Sequence, residues 1–248
     1  MWQVPRFGVD WDLGTMARFD ALAPSYPSSF PSAFVEHVVN RKLWFVEKYL
    51  GSPEGKLGFD VGSGPGWYSK ALEARGATVV PLDFSINSLS RAHGRGEDGC
   101  FPVRAAIPNA PLRGDTFDFG LVVNVLHHLP SHAQGRVVKE LVGALRPGGR
   151  LFTFEICVNN PLVRFYMSHV FPRRRNVDDG TEKFLTTRQL LSLAGGAATC
   201  EGIEHFFFVP DVKFPGLLRA FANFERLLER TFLRTWCVQQ LVVYRKAE

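Results

Sequence analysis

A parallel, doubly wound α/β sheet is the fold this chain predicts, on three observations. Short apolar runs alternate with segments of helical period from residue 32 to residue 156. One run, residues 117–124, is almost continuously apolar, as a strand buried on both faces should be. The first run, Leu57-Gly-Phe-Asp-Val61, opens straight into Gly62-Ser-Gly-Pro-Gly66, where three glycines let the backbone take positive φ and approach a ligand. Such alternation builds a parallel sheet with right-handed crossovers.

Taken in order, residues 1–31 are rich in Pro, Ser and aromatics and hold no clear period. Residues 32–50 form a helix, because Val35, Val39, Leu43, Val46 and Leu50 recur at three and four residues. Gly51-Ser-Pro53 ends it. Strand one spans residues 57–61, and a helix follows over about 66–75, with Pro65 suited to a first helical position. Strand two spans 78–83; Ser85 caps a helix over 86–93. A polar loop over 94–99 leads to strand three at 100–107 and a proline-bearing loop to 114. Strand four is followed by a helix that Pro130-Ser131 opens and Arg146-Pro-Gly-Gly149 stops. Strand five spans 150–156. An insertion over 157–185 carries Phe165, Tyr166, His169, Phe171 and Arg173-Arg-Arg175. Thr187 caps a short helix to about 194. Residues 202–209 and 238–244 are late strands joined by a helix over 215–232, on which Leu217, Leu218, Phe221, Phe224, Leu228 and Phe232 lie near one side and Arg219, Arg226 and Arg230 elsewhere.

Composition bounds the function. The 29 Lys and Arg against 24 Asp and Glu give +5, with a pI near 9.2. This permits acidic or phosphate-bearing partners without demanding nucleic acid. The 22 Phe favour an apolar pocket or an aromatic core. Cys100, Cys157, Cys200 and Cys237 lie far apart with no metal-ligand spacing, and read as buried or free thiols in a reducing cytosol. The N-terminus lacks the pattern of a signal peptide, and no run reaches the ~18 apolar residues of a spanning helix. A cytoplasmic protein, at most membrane-associated at its surface, is expected.

The glycine spacing is G-x-G-x-G, and Trp67 stands where a dinucleotide fingerprint wants its third glycine. No Lys-Ser/Thr follows, so a P-loop is disfavoured too. Asp60 sits just before the glycines. Asp83 ends the second strand, where a ribose diol is bound in sheets of this kind. Asp115-Thr-Phe-Asp118 then introduces Phe119-Gly-Leu-Val-Val-Asn-Val-Leu-His-His-Leu-Pro130. With these pieces the chain resembles the class I S-adenosyl-L-methionine (SAM) dependent methyltransferases, small-molecule branch, quinone methyltransferases included, over roughly residues 17–157.

That resemblance implies a Rossmann-like, seven-stranded sheet with helices on both faces and an antiparallel last strand, a step that periodicity does not give. It implies an N-terminal lid and helix over 1–50, a SAM-binding core over 51–158, and a substrate-cap insertion with the last strands over 159–248. Arg18-Phe-Asp-Ala-Leu-Ala-Pro-Ser-Tyr26 looks like the family's lid, bringing Phe19 and Tyr26 to the substrate. Asp60 would bind the methionine amino group. Gly62, Ser63 and Gly64 would offer backbone contacts, and the helix N-terminus at Gly66 would favour the methionine carboxylate. Asp83 would accept both ribose hydroxyls, with Phe84 on the adenine face. The Asp-Ala pair common after strand three falls here on Ala106-Ile107, so adenine recognition is left to backbone and to Ile107. Asn124 would contact the methionine end.

His128 and His127 follow strand four, where a general base belongs if the acceptor must lose a proton; the alternative is a turn with one ring hydrogen-bonded to backbone. Glu155 either faces the substrate or pairs with a core polar group. No metal constellation is expected. The implied acceptor is a small, partly apolar molecule (a lipid, a quinone-like precursor or a glycolipid), with no nucleic acid and with peripheral membrane contact allowed by the aromatic, basic insertion. A catalytically silent SAM-binding scaffold and an NAD-linked oxidoreductase are the competing readings.

Overall fold

The structure is a computed structural model and describes residues 13–92, 102–170, 182–207, 224–225, 227–229 and 231–248. Seven strands form one sheet: β1 (Leu57–Val61), β2 (Thr78–Asp83), β3 (Val103–Arg104), β4 (Phe117–Val123), β5 (Leu145–Ile156), β6 (Ala198–Phe206) and β7 (Gln239–Lys246). Their order is β3-β2-β1-β4-β5-β7-β6. The five strands from β3 to β5 pair in parallel, and β7 runs antiparallel between β5 and β6. The reversal of strand order beside β1 puts the carboxyl ends of β1, β2 and β4 around one crevice, the position where such sheets hold ligands.

Helices cover both faces. α2 (Ser32–Leu50) and α3 (Trp67–Glu73) bury Val39, Leu43, Val46 and Leu72 against Phe119, Phe152, Phe154, Leu241 and Val243. α5 (Ser131–Ala144) and α7 (Thr187–Ser192) bury Val137, Leu141 and Leu190 against Phe59, Val122, Leu151, Val242 and Tyr244. Residues of β7 alternate between the two cores, the period of two made visible. Between β1 and β4 the faces interlock. Gly58 pairs with Phe119 and Phe59 with Gly120. A Cβ at either glycine would stand 2.2 Å from the opposite phenyl ring. Each ring fills the space that its partner leaves.

Boundaries differ from expectation where tertiary pairing outweighs local signals. Residues 13–22, read as aperiodic, form α1 (Leu13–Leu22). Strand three shrinks to Val103–Arg104. α5 stops at Ala144, because Asp115 and Thr116 donate to the carbonyls of Gly143 and Ala144, and Leu145 already pairs with Phe117. The Arg146-Pro-Gly-Gly149 stop signal bulges from β5 instead, with Gly148 at φ 74°. Thr186 caps α7, not Thr187, through a reciprocal pair with Gln189. β6 sits at 198–206, three to four residues ahead of the expected 202–209, and β7 at 239–246, close to the expected 238–244.

α4 (Ile86–Ala92) is capped by the Ser85 hydroxyl, which accepts from Ser88 N–H at 3.1 Å. The 94–99 loop, Cys100, Phe171, Arg173–Arg175, Leu217, Leu218, Arg219, Phe221, Arg226 and Arg230 lie outside the described residues. Of the expected 215–232 helix, 224–225 and 227–228 are helical, while Phe232–Trp236 forms a short 3-10 turn with Phe232 83% exposed. After β5, α6 (Pro161–Phe165) widens into a single π turn over Tyr166–Val170, leaving Phe165 and Tyr166 exposed. No described helix is long and apolar enough to cross a membrane.

Candidate active site

The glycine turn is built around two carboxylates. Asp83 is buried, and each of its oxygens holds a backbone donor: Gly64 N–H at 2.9 Å on Oδ2, Ser85 N–H at 2.8 Å on Oδ1. Burial raises its pKa, with the Ser85 and Gly64 bonds opposing. A carboxylate has about four lone-pair positions, so room remains on both oxygens. Asp60 is buried beside it. Its Oδ2 accepts from the Ser69 hydroxyl at 2.7 Å, the Ser69 N–H donates to it as well, and Oδ1 has no partner. Burial raises Asp60 to about 7, with Ser69 opposing and Asp83 adding to the rise.

Two features of the turn bear on the expected cofactor contacts. The N–H groups of Gly62 and Ser63 donate to Leu82 O, at 2.8 and 3.0 Å, and that of Gly64 to Asp83. These three N–H groups are committed within the protein. In the first turn of α3 the Ser69 N–H is already taken by the Asp60 carboxyl. Pro65 lies in the turn ahead of the helix, and Gly66 is the N-cap, left-handed at φ 76°. The Ser63 hydroxyl is buried without a partner. Gly62 has φ 69°, and a Cβ there would stand 2.4 Å from Val125, so the turn packs directly on the segment after β4.

Lys42 was not singled out by sequence reasoning. It is 1% exposed on the inner face of α2, with Nζ 5.5 Å from the ring centres of both Tyr68 and Phe154 and without a hydrogen-bond partner. Burial lowers its pKa to about 7, and the charge of Glu155 pulls it back upward. The signal was in the stripe. Lys42 stands three residues after Val39 and four before Val46, an inward position.

After β4 the chain turns sharply. Asn124 takes φ 55°, a conformation Asn tolerates better than most residues, and its Oδ1 is buried without a partner. Glu155, 1% exposed at the end of β5, organises the 125–127 segment. Its Oε1 accepts from Val125 and Leu126 N–H, at 3.1 and 2.8 Å, and its Oε2 lies 2.6 Å from His127 Nδ1. Glu155 therefore pairs within the core. His127 is itself covered, 2% exposed, with Phe184 stacked at 5.1 Å.

His128 is different. It is half-buried, stands 4.1 Å from the His127 ring, and takes the edge of Phe19 at 4.8 Å. Burial, then the charges of His127 and Arg18, holds it well below the ordinary histidine value, so the imidazole is neutral at pH 7.

α1 lies across this crevice. Phe19 meets His128, and next to it Asp20 accepts from the Ser85 hydroxyl at 2.6 Å and from Asn87 Nδ2 at 3.2 Å. Tyr26 follows in the turn Tyr26–Ser29, its ring 5.7 Å from that of Trp67. Phe84 follows Asp83, with Arg104 Nε donating to the Phe84 carbonyl at 3.1 Å. Ala106 and Ile107 are buried, and Ile107 packs in the α5-side core. Asp60, Ser63, Asp83, Asn124, His127, His128 and Glu155 thus gather around the carboxyl ends of β1, β2, β4 and β5. Lys42 joins them from α2.

A buried acid and a buried base, each with an unpartnered atom, suit a ligand that carries both an ammonium and a carboxylate. The orphaned Ser63 and Asn124 oxygens suit its remaining polar hydrogens.

Comparison with known proteins agrees with this arrangement. Residues 59–153 match the family described as "Methyltransferase domain". The chain is 30% identical over 160 residues to the ubiquinone biosynthesis O-methyltransferase of Bordetella bronchiseptica, covering 62% of this chain and 65% of that protein. It is 32% identical over 165 residues to the demethylmenaquinone methyltransferase of Clavibacter sepedonicus, covering 63% and 65%. The match thus spans just under two thirds of these relatives' length. Among solved structures, a SAM-dependent methyltransferase from Mesorhizobium loti superposes with a TM-score of 0.59 at 23% identity, over 83% of this chain and 98% of that one. That likeness is one of fold.

Proposed function

We propose that this chain, a class I SAM-dependent methyltransferase by its domain over residues 59–153, moves a methyl group to a small, partly apolar, quinone-like acceptor. The observation that carries the reading is the pair of buried carboxylates at the ends of β1 and β2, one stapling the glycine turn, the other keeping an oxygen free. When bound, SAM supplies a methyl group already activated on a sulfonium, so the chain's work is mainly positioning.

Asp83 accepts the ribose hydroxyls on lone pairs that Gly64 and Ser85 leave over. Asp60 faces the methionine ammonium through Oδ1. Lys42 meets the methionine carboxylate, the role that sequence reasoning gave to the helix N-terminus. Asn124 and Ser63 complete the polar wall. Phe84, Ala106 and Ile107 flank the adenine, an apolar slot in place of a carboxylate.

His128 takes the acceptor's proton if a hydroxyl or carbon acid reacts. It is neutral at pH 7 and reaches the crevice, whereas His127 is covered. Glu155 and His127 are positioning residues. Glu155 fixes the Val125–Leu126 backbone and orients His127, against which His128 packs. Phe19 and Tyr26, on the arm across the crevice, exclude water from the reacting atoms. Phe165 and Tyr166, exposed beyond β5, fit an acceptor delivered from a lipid surface.

Melting temperature with S-adenosylhomocysteine, against NAD as control, tests the cofactor. Saturating ligand at a hundredfold over its dissociation constant adds about 2.7 kcal/mol, and Asp83→Ala should abolish the shift. Mass spectrometry after incubation with SAM and phenolic or quinone-like acceptors tests the acceptor; transfer only to protein or RNA would refute it.

A further inference from the structure

A second polar group sits where β5, β6 and β7 end, and the proposed reaction does not use it. Cys157 directly follows β5, and Cys237 lies two residues before β7. Both are fully buried free thiols. Cys157 N–H donates to Val238 O at 2.8 Å, so the two segments run side by side. The two thiols and the His205 ring of β6 lie close enough to perturb one another. Cys237 Sγ lies 2.9 Å from Gln239 O. On its far side, His205 Nε2 is 3.0 Å from Thr187 Oγ1, which is tied to Gln240 at 2.7 Å and to Asn159 at 2.8 Å. The group is therefore held in place from three strands.

Metal binding does not account for it: among the described residues no cluster of three or more His, Cys, Asp or Glu side chains could hold a metal ion. Thiol chemistry does. The neighbouring Cys237 and His205 push the Cys157 thiol down toward its thiolate, while Cys157 and then burial push Cys237 up. One sulfur is thus prepared as a nucleophile and its neighbour keeps its proton. Full burial shuts out bulky oxidants.

We infer that Cys157 and Cys237 are an oxidisable pair, which a hydrogen-peroxide-type oxidant converts into a disulfide joining the end of β5 to the segment leading into β7. The Cys157 thiolate attacks one peroxide oxygen; the O–O bond breaks, hydroxide leaves, and Cys157 becomes a sulfenic acid. The Cys237 sulfur attacks the Cys157 sulfur; the S–O bond breaks, and the oxygen leaves as water with the Cys237 proton. Two thiols lose two electrons, and one peroxide becomes two waters. Because Cys157 stands two residues past Glu155, the cross-link stiffens the strand end that organises His127 and His128.

The test treats the intact, fully reduced chain with a small excess of hydrogen peroxide, alkylates free thiols in denaturant and digests with trypsin. Cys157 falls in the peptide 151–164 and Cys237 in 235–245. The expected result is these two peptides joined and lighter by two hydrogens, formed before the exposed Cys200 is modified. In Cys237→Ser, a dimedone adduct at Cys157 is expected. Recovery of both peptides as alkylated thiols while Cys200 is oxidised, or linkage of either cysteine to Cys200 or Cys100, would overturn the assignment. The linked peptide is read in the unaltered chain, so a serine variant that fails to fold does not decide the outcome.

Discussion

Replacing Lys42 by Met should move stability and cofactor affinity in opposite directions. The Met side chain keeps most of the buried stem of Lys42 and removes the ammonium. In the free protein that ammonium is buried over two aromatic rings without a hydrogen-bond partner, and its pKa falls from 10.5 to about 7. A fall of that size corresponds to about 5 kcal/mol of unfavourable burial of the charged form, and replacing buried ions with apolar groups of similar volume returns about 1–4 kcal/mol. The expected gain for Lys42→Met is in that range at pH 6.

The pH dependence follows from the sign of the shift. Between about 7 and 10.5 the unfolded chain binds the Lys42 proton and the folded chain does not, so stability of the unaltered protein rises with pH across that interval. The variant should lose that contribution. In the proposed complex S-adenosylhomocysteine presents its carboxylate to the same ammonium, and a charge-assisted bond of about 1.5–3 kcal/mol makes its loss a weakening of roughly 10- to 150-fold. Urea denaturation at pH 6 and pH 9, with calorimetric titration of S-adenosylhomocysteine, reads both effects. A variant less stable than the parent at pH 6, or one that binds the ligand equally well, would refute the reasoning.

Four further outcomes are expected. Asp60, raised from 3.8 to about 7 by burial, binds a proton more tightly folded than unfolded; stability therefore falls as pH rises from 4 to 7, and Asp60→Asn should flatten that fall in urea titrations at pH 4–8. His128→Ala should lower kcat by about 10²–10⁴ if an acceptor proton is removed, with S-adenosylhomocysteine affinity unchanged in the same calorimetric titration. Because His128 sits well below the ordinary histidine value, kcat against pH should show no loss of activity near 6.5 from this group. Gly120→Ala puts a Cβ 2.2 Å from the Phe59 ring and should cost about 1–3 kcal/mol of folding stability, read as a lower urea midpoint with an unchanged m value.

The sequence made the central sheet legible because parallel strands buried on both faces are written as unbroken apolar runs, and because Asp60 and Asp83 stand at strand ends that glycine punctuates. Ends of elements were less legible. α5 is ended by the carbonyls that Asp115 and Thr116 take from it, a pairing across thirty residues that no local signal carries. α1 was missed because its stability comes from the Asp20 and Phe19 contacts with other segments, not from an apolar stripe. Within the site, the acids were readable from position and the histidines from adjacency. Three things depended on three-dimensional bookkeeping. The turn's N–H groups are spent on Leu82 and Asp83, Asp60 takes the Ser69 N–H, and Glu155 turns inward to its three partners. Lys42 was visible as a charge inside an apolar stripe, and its meaning came only from the rings and the carboxylate around it.

Phe19 and Asp20 are neighbours in the chain, yet one rests on His128 and the other on the Ser85 hydroxyl beside Asp83. If cofactor and acceptor bind as proposed, a single helix covers both behind one latch. Under that proposal spent nucleoside and methylated product leave only when both grips release together, and turnover in the steady state keeps time with the latch and not with bond making. A first round faster than all later rounds is the kinetic signature such an arm leaves.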